Sequence, residues 1–186
     1  MDAGGPPRAR SGIALLAGLQ AGMGAVLVML GWLSFASLWY HRSIWSVANL
    51  LGSAVYGESA LRPGFGRGSL FGLAVYLGLY SALGALFAAA VSGRLLRLRP
   101  ALLGILWGVG CYYLLFGFVW ERLDPLIPLY THDGPMLVGH VLYGALLGRF
   151  PRYLQALASP PEPAALPAGE ASSAGPQNIS EYPELP

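Results

Sequence analysis

Four apolar stretches constrain this chain more than any other feature: Ile13 to Tyr40, Leu70 to Val91, Ala101 to Trp120, and a shorter one from Pro135 to Gly148. A spanning helix needs about 20 predominantly apolar residues, because a hydrocarbon core about 30 Å thick is crossed at about 1.5 Å per residue. The first three stretches meet that length. The fourth covers only about 21 Å. It crosses if its ends extend through Phe150 or if the bilayer thins. The expected fold class is therefore an all-α membrane protein with four transmembrane helices, over residues 13–40, 70–92, 101–121 and 134–150.

Composition agrees with lipid as the solvent. The chain is 55% hydrophobic and 11% charged, where soluble domains carry about 25% charged residues. A net charge of +2 argues against nucleic acid as a partner. Cys111 is the only cysteine, which excludes an internal disulfide, a CxxC redox pair and a cysteine-based zinc site. All 11 basic residues are arginine, a bias of GC-rich bacterial coding sequence, so the membrane expected is the cell inner (cytoplasmic) membrane. The first apolar run, preceded by Arg8 and Arg10, resembles a signal peptide only in its flank. A signal h-region is about 7–15 residues, and here the run is roughly twice that, with no convincing small-residue cleavage site.

Residues 1–11 are rich in Gly, Pro and Arg and are expected to be disordered. Residues 12–155 form the transmembrane domain. From 156 to 186 a disordered Pro/Glu-rich tail is expected, since Ser159 to Pro186 holds seven of the 15 prolines and four glutamates. Trp39, Tyr40, His41 and Arg42 mark the end of the first helix as an interface anchor. In residues 43–57, Ser46, Asn49, Ser53 and Tyr56 recur at helical spacing, so one face is polar. This stretch is too short to span and is read as a short amphipathic interfacial helix, with a re-entrant helix as the alternative. The N-terminus, the linker between the second and third helices, and the region after the fourth carry seven arginines. The opposite loops carry four, beside Glu58, Glu121, Asp124 and Asp133. The positive-inside rule then places both termini in the cytoplasm.

Glycine is the dominant motif signal. The 26 glycines are about twice the usual frequency, and pairs fall four apart at Gly18 and Gly22, Gly104 and Gly108, Gly144 and Gly148. Helices in lipid have no hydrophobic reason to associate, so close backbone approach must hold them. These glycines are read as helix-packing faces within one bundle, with a homodimer face as the alternative. Gly78-Leu-Tyr-Ser-Ala-Leu also echoes Val141-Leu-Tyr-Gly-Ala-Leu, the trace that two related helical hairpins would leave.

Candidate site residues are few. His140 is the one ionisable side chain well inside an expected membrane segment, with Tyr143 on the same helical face. A lipid-facing histidine would lose its hydrogen bonds, so His140 should face the interior, where Tyr76, Tyr80, Tyr112 and Tyr113 offer hydroxyls. Glu121, Arg122, Asp124, His132 and Asp133 gather in and beside the loop before the fourth helix. They are read either as a polar mouth leading to His140 or as solvated loop residues. No cofactor is expected: His41 and His132 lie too near the surface to share haem or metal ligation with His140. GxSxG, HExxH and phosphate-loop motifs are missing. The general pattern, with His-x-x-Tyr-Gly in the last helix, is similar to that of small bacterial inner-membrane proteins and implies no activity. The leading function class is a non-catalytic structural or accessory membrane component. A small transporter or channel subunit for protons or a small solute comes second, and a membrane-embedded enzyme on a lipid substrate third. The expected partners are the lipid bilayer and a second copy or another membrane protein.

Overall fold

The computed structural model describes residues 7–91 and 100–158. Of the segments expected to be disordered, 1–11 and 156–186, residues 1–6 and 159–186 lie outside the described residues, as does the arginine-bearing linker 92–99, while residues 7–11 are helical in α1 and 156–158 in α8. Among the described residues every regular element is helical. Helix α1 runs Pro7–Trp39, α2 Ser46–Tyr56, α3 Arg67–Val91, and α4 Pro100–Leu114. A π-helical turn, Leu115–Val119, and the short α5, Trp120–Leu123, continue α4 without a break. Then come α6 Leu126–Tyr130, α7 Asp133–Leu147 and α8 Phe150–Ala158.

Three helices are long and apolar enough to cross a membrane: Ser11–Trp39, Arg67–Val91 and Pro100–Leu123. The fourth expected span is not among them. Helix α7 has 15 residues, about 22 Å at about 1.5 Å per residue. The chain turns at Gly148 and Arg149, and Phe150 opens a separate helix. Sequence reading placed Phe150 at the end of the fourth helix and missed α8. Its signal was Phe150, Tyr153, Leu154 and Leu157 at helical spacing. Phe150 is buried and Tyr153 and Leu154 pack against the core, while Arg152 is exposed.

The long helices pack in a row, α3–α1–α7–α4, whose ends meet where Phe87 of α3 lies 5.8 Å from Trp107 of α4 between ring centroids. Two seams hold the row. At Gly18 and Gly22, α1 presses its backbone against Gly84, Tyr80 and Ser81 of α3. At Gly104 and Gly108, α4 presses against Gly144 and His140 of α7, and Gly148 meets Ala101. A methyl group at any of these would overlap partner backbone. All three expected glycine pairs are therefore spent inside one chain, which leaves none of them free as a dimer face. Polar side chains within the long helices go inward beside an apolar core, and large apolar ones also face outward. Tyr76, Tyr80, Tyr143, His140 and Ser69 are fully buried, while Leu16, Leu27, Leu70, Leu86, Leu102 and Leu106 are exposed. That arrangement suits a solvent of hydrocarbon.

Helix α2 docks on the start of α3, where Gly72 meets Ala48 and Gly52 meets Gly68. Its polar face points into the protein rather than into water. Asn49 Nδ2 donates to the carbonyls of Arg62 and Gly64, both at 3.0 Å, and Asn49 Oδ1 accepts from Ser69 Oγ at 2.5 Å. The loop between α2 and α3 is thus tied down by one amide.

Helix α1 ends at a left-handed residue that is not glycine. His41 has φ 54°. Its N–H donates to the carbonyl of Leu38 at 2.9 Å, and the N–H of Arg42 to that of Ser37 at 2.8 Å. These are the two reverse bonds of a Schellman cap, whose left-handed position usually holds Gly. His41→Val should cost about 1–2 kcal/mol, because the left-handed well crowds a Cβ, and His41→Gly should be neutral or better. Thermal melts of the two variants check this; equal stabilities would show that the turn does not depend on this conformation.

Candidate functional site

The α1–α3 and α4–α7 seams meet at His140. Gly108 lets α4 approach the His140 carbonyl, and this close approach sets the depth of the site. His140 is completely buried. Its Nδ1 lies 2.9 Å from the carbonyl of Met136, one turn back on α7, and its Nε2 lies 2.8 Å from Tyr80 Oη on α3. A carbonyl only accepts, so Nδ1 carries a proton. In the neutral ring Nε2 is then the acceptor and the Tyr80 hydroxyl the donor. The rings of Tyr80, Tyr112 and Phe116 surround the imidazole edge-on, with centroids 5.5, 5.4 and 5.8 Å away. Phe116 sits in the π-helical turn, a distortion frequent at special positions in helices.

Tyr143, one turn beyond His140, donates its hydroxyl to the backbone carbonyl of Tyr80 at 2.6 Å. The two tyrosines of the echoed hexapeptides therefore touch each other, ring centroids 5.1 Å apart. Of the four tyrosines expected to reach His140, only Tyr80 bonds it. Tyr112 offers its ring, but its hydroxyl donates to Asp133 Oδ1 at 3.2 Å. Tyr113 is exposed. Tyr76 stacks on Tyr80 with centroids 5.6 Å apart, and its buried hydroxyl has no hydrogen-bond partner among the described residues.

The expected polar cluster does not converge on one point. Arg122 lies over the Phe118 ring at 4.1 Å. His132 stands edge-on to Tyr40 at 4.5 Å. Glu121 is exposed. Asp133 reaches Tyr112 and so adjoins the His140 cage, and it alone of the five does. Asp124 is buried and works elsewhere: Oδ2 accepts from Ser53 Oγ at 2.8 Å and Oδ1 from the N–H of Leu126 at 3.0 Å. It ties α2 to the start of α6. The reason for the dispersal is local: loop 124–132 folds over α2 through α6, which turns Asp124 inward and leaves Glu121 and Arg122 outside.

Sequence reading missed Asn49, Ser53 and Ser69 as inward polar ties. The signal for Asn49 and Ser53 was the polar stripe of residues 43–57, read first as facing water when it faces α3 and the loops; Ser69, on α3, lies outside that stripe. Among the described residues no group of three His, Cys, Asp or Glu side chains could hold a metal ion. Comparison with known proteins gives no match: no family model, no curated protein and no solved structure is similar to this chain at a significant level.

Proposed function

We propose that this chain is a non-catalytic structural or accessory component of the bacterial inner membrane, with four spans and both termini in the cytoplasm. The observation that carries the reading is the closure of its buried histidine. Both His140 nitrogens are bonded and its exposure is 0%. A transport or catalytic site needs a group that a substrate or water can reach. Here the polar side chains join helices to one another. The fourth span is α7, extended at the bilayer surface by α8. Reporter fusions at residues 5, 60, 97, 130 and 170 test the topology: 5, 97 and 170 should report one side, and 60 and 130 the other. Finding 5 and 170 on opposite sides would remove a span. Proteoliposomes should show no proton or solute flux above that of empty vesicles, and mild solubilisation should retain a stable membrane partner.

A second reading, a small transporter or channel subunit for protons, rests on Tyr76. A buried hydroxyl without a hydrogen-bond partner among the described residues, beside the Tyr80–His140 pair, is what one step of a proton relay would leave between transfers. Proton flux in proteoliposomes that Tyr76→Phe abolishes would favour it over the first.

A further inference from the structure

At the loop-rich end of the row, three cavities share walls. The first, about 350 Å³, is lined by His41, Arg42, Ser43, Ser46, Asn49 and Arg62, among others. A narrow neck of about 50 Å³ adjoins it through Arg42, Ser46, Leu50 and Tyr130, and is otherwise walled chiefly by Leu33, Ala36, Val47 and Met136. The neck shares Ala36, Tyr40 and Pro135 with an apolar groove of about 330 Å³, which also meets Trp32, Phe35, Trp39 and Val138. The groove faces outward: Phe35 is 56% exposed and Trp39 75%. Among the described residues no carboxylate lines any of the three, while His41, Arg42, Arg62 and His132 do. One guanidinium nitrogen of Arg42 is held by the Tyr130 carbonyl at 3.0 Å, which fixes the fork and leaves its other N–H groups over. Arg62 makes no side-chain hydrogen bond among the described residues.

We infer that this cleft holds an anionic phospholipid, its phosphate between Arg42 and Arg62 and one acyl chain laid through the neck into the groove between α1 and α7. Each part of the cleft matches a part of that molecule. Guanidinium forks bind phosphate with paired, charge-assisted hydrogen bonds. Basic clusters at the membrane surface favour anionic headgroups. The Trp32, Trp39 and Tyr40 side chains place the junction at headgroup level, where such rings concentrate. A free phosphate ester would fill the basic cavity and leave the apolar groove without a role. A zwitterionic lipid would bring its cationic group against two arginines.

The test uses the full chain in detergent, with phosphatidylglycerol or phosphatidylcholine of identical acyl chains added, read by native mass spectrometry and thermal shift. Phosphatidylglycerol should stay bound and raise the melting temperature, and phosphatidylcholine should do neither. Arg62→Ala should weaken phosphatidylglycerol binding about tenfold, the worth of one or two charge-assisted hydrogen bonds. Its lipid-free melting temperature should not change, because that side chain makes no hydrogen bond among the described residues. Ala36→Phe should block the chain path and abolish binding with both arginines intact, while Arg152→Ala on α8 should leave it unchanged. Equal retention of the two lipids would overturn the inference, as would full phosphatidylglycerol binding by both Arg62→Ala and Ala36→Phe. The same shift from glycerol 3-phosphate alone would overturn it too, by assigning the cavity to a soluble phosphate.

Discussion

Gly108→Ala is expected to destabilise the protein by about 1–3 kcal/mol, the usual cost of forcing extra volume into a packed interface. Gly110→Ala, two residues on, should be neutral or stabilise by up to about 1 kcal/mol through helix propensity alone. The two glycines face opposite ways. A Cβ at Gly108 would overlap the carbonyl of His140, which belongs to a helix backbone and cannot step aside. A Cβ at Gly110 meets nothing within 4 Å. Gly144→Ala should behave like Gly108→Ala, since its Cβ would overlap the carbonyl of Gly104, and Gly84→Ala should do the same to the α1–α3 seam. Thermal unfolding in one detergent ranks the four variants. If Gly108→Ala melted with Gly110→Ala, α4 and α7 would not be in contact at this seam.

The second large effect is at His140. His140→Leu removes the acceptor of the Tyr80 hydroxyl at a completely buried position. An unsatisfied buried polar group costs about 1–3 kcal/mol, and the change in ring shape adds a packing loss among Tyr80, Tyr112 and Phe116. His140→Gln keeps an oxygen able to accept from Tyr80 and should lose less than half as much. At pH 8 and above, where an imidazole is neutral in the folded and the unfolded chain alike, both losses are independent of pH for a purely structural histidine. Tyr80→Phe also removes that hydroxyl, so its loss and that of His140→Leu should not add, as neighbours sharing one bond do not. The double variant is the decisive measurement: additive losses would show that the two side chains do not share a hydrogen bond. A pH-dependent activity abolished by both His140 variants, with expression intact, would instead make the histidine a proton site.

The glycine seams and the sealed histidine are two views of one device. Close approach at Gly108 and Gly84 brings α4 and α3 near enough for Tyr80, Tyr112 and Phe116 to enclose the His140 ring. Opening a seam should therefore also open the cage, so Gly108→Ala and His140→Leu should couple although one contains no polar group.

Sequence alone determined which three helices are long and apolar enough to cross a membrane, because crossing hydrocarbon is a matter of length and composition, which are read along the chain. It also placed His140 inside and the glycine pairs in helix contacts, because burying a polar side chain in lipid without a partner is costly and four-residue spacing is a helical face. Partner choice was not legible. Gly104 and Gly108 pack on Gly144 and Gly148 because α7 happens to lie beside α4, and nothing in a small-xxx-small pattern names its mate. Tyr80 rather than Tyr113 bonds His140 because Tyr113 lies on the outer side of α4, turned away from α7. The stripe of Ser46, Asn49 and Ser53 was visible as polar, but whether water or protein satisfies it depends on where α3 and loop 62–66 stand. Asp124 turned inward for the same reason. Periodicity states that a face exists, and only the arrangement of the other helices decides what that face meets.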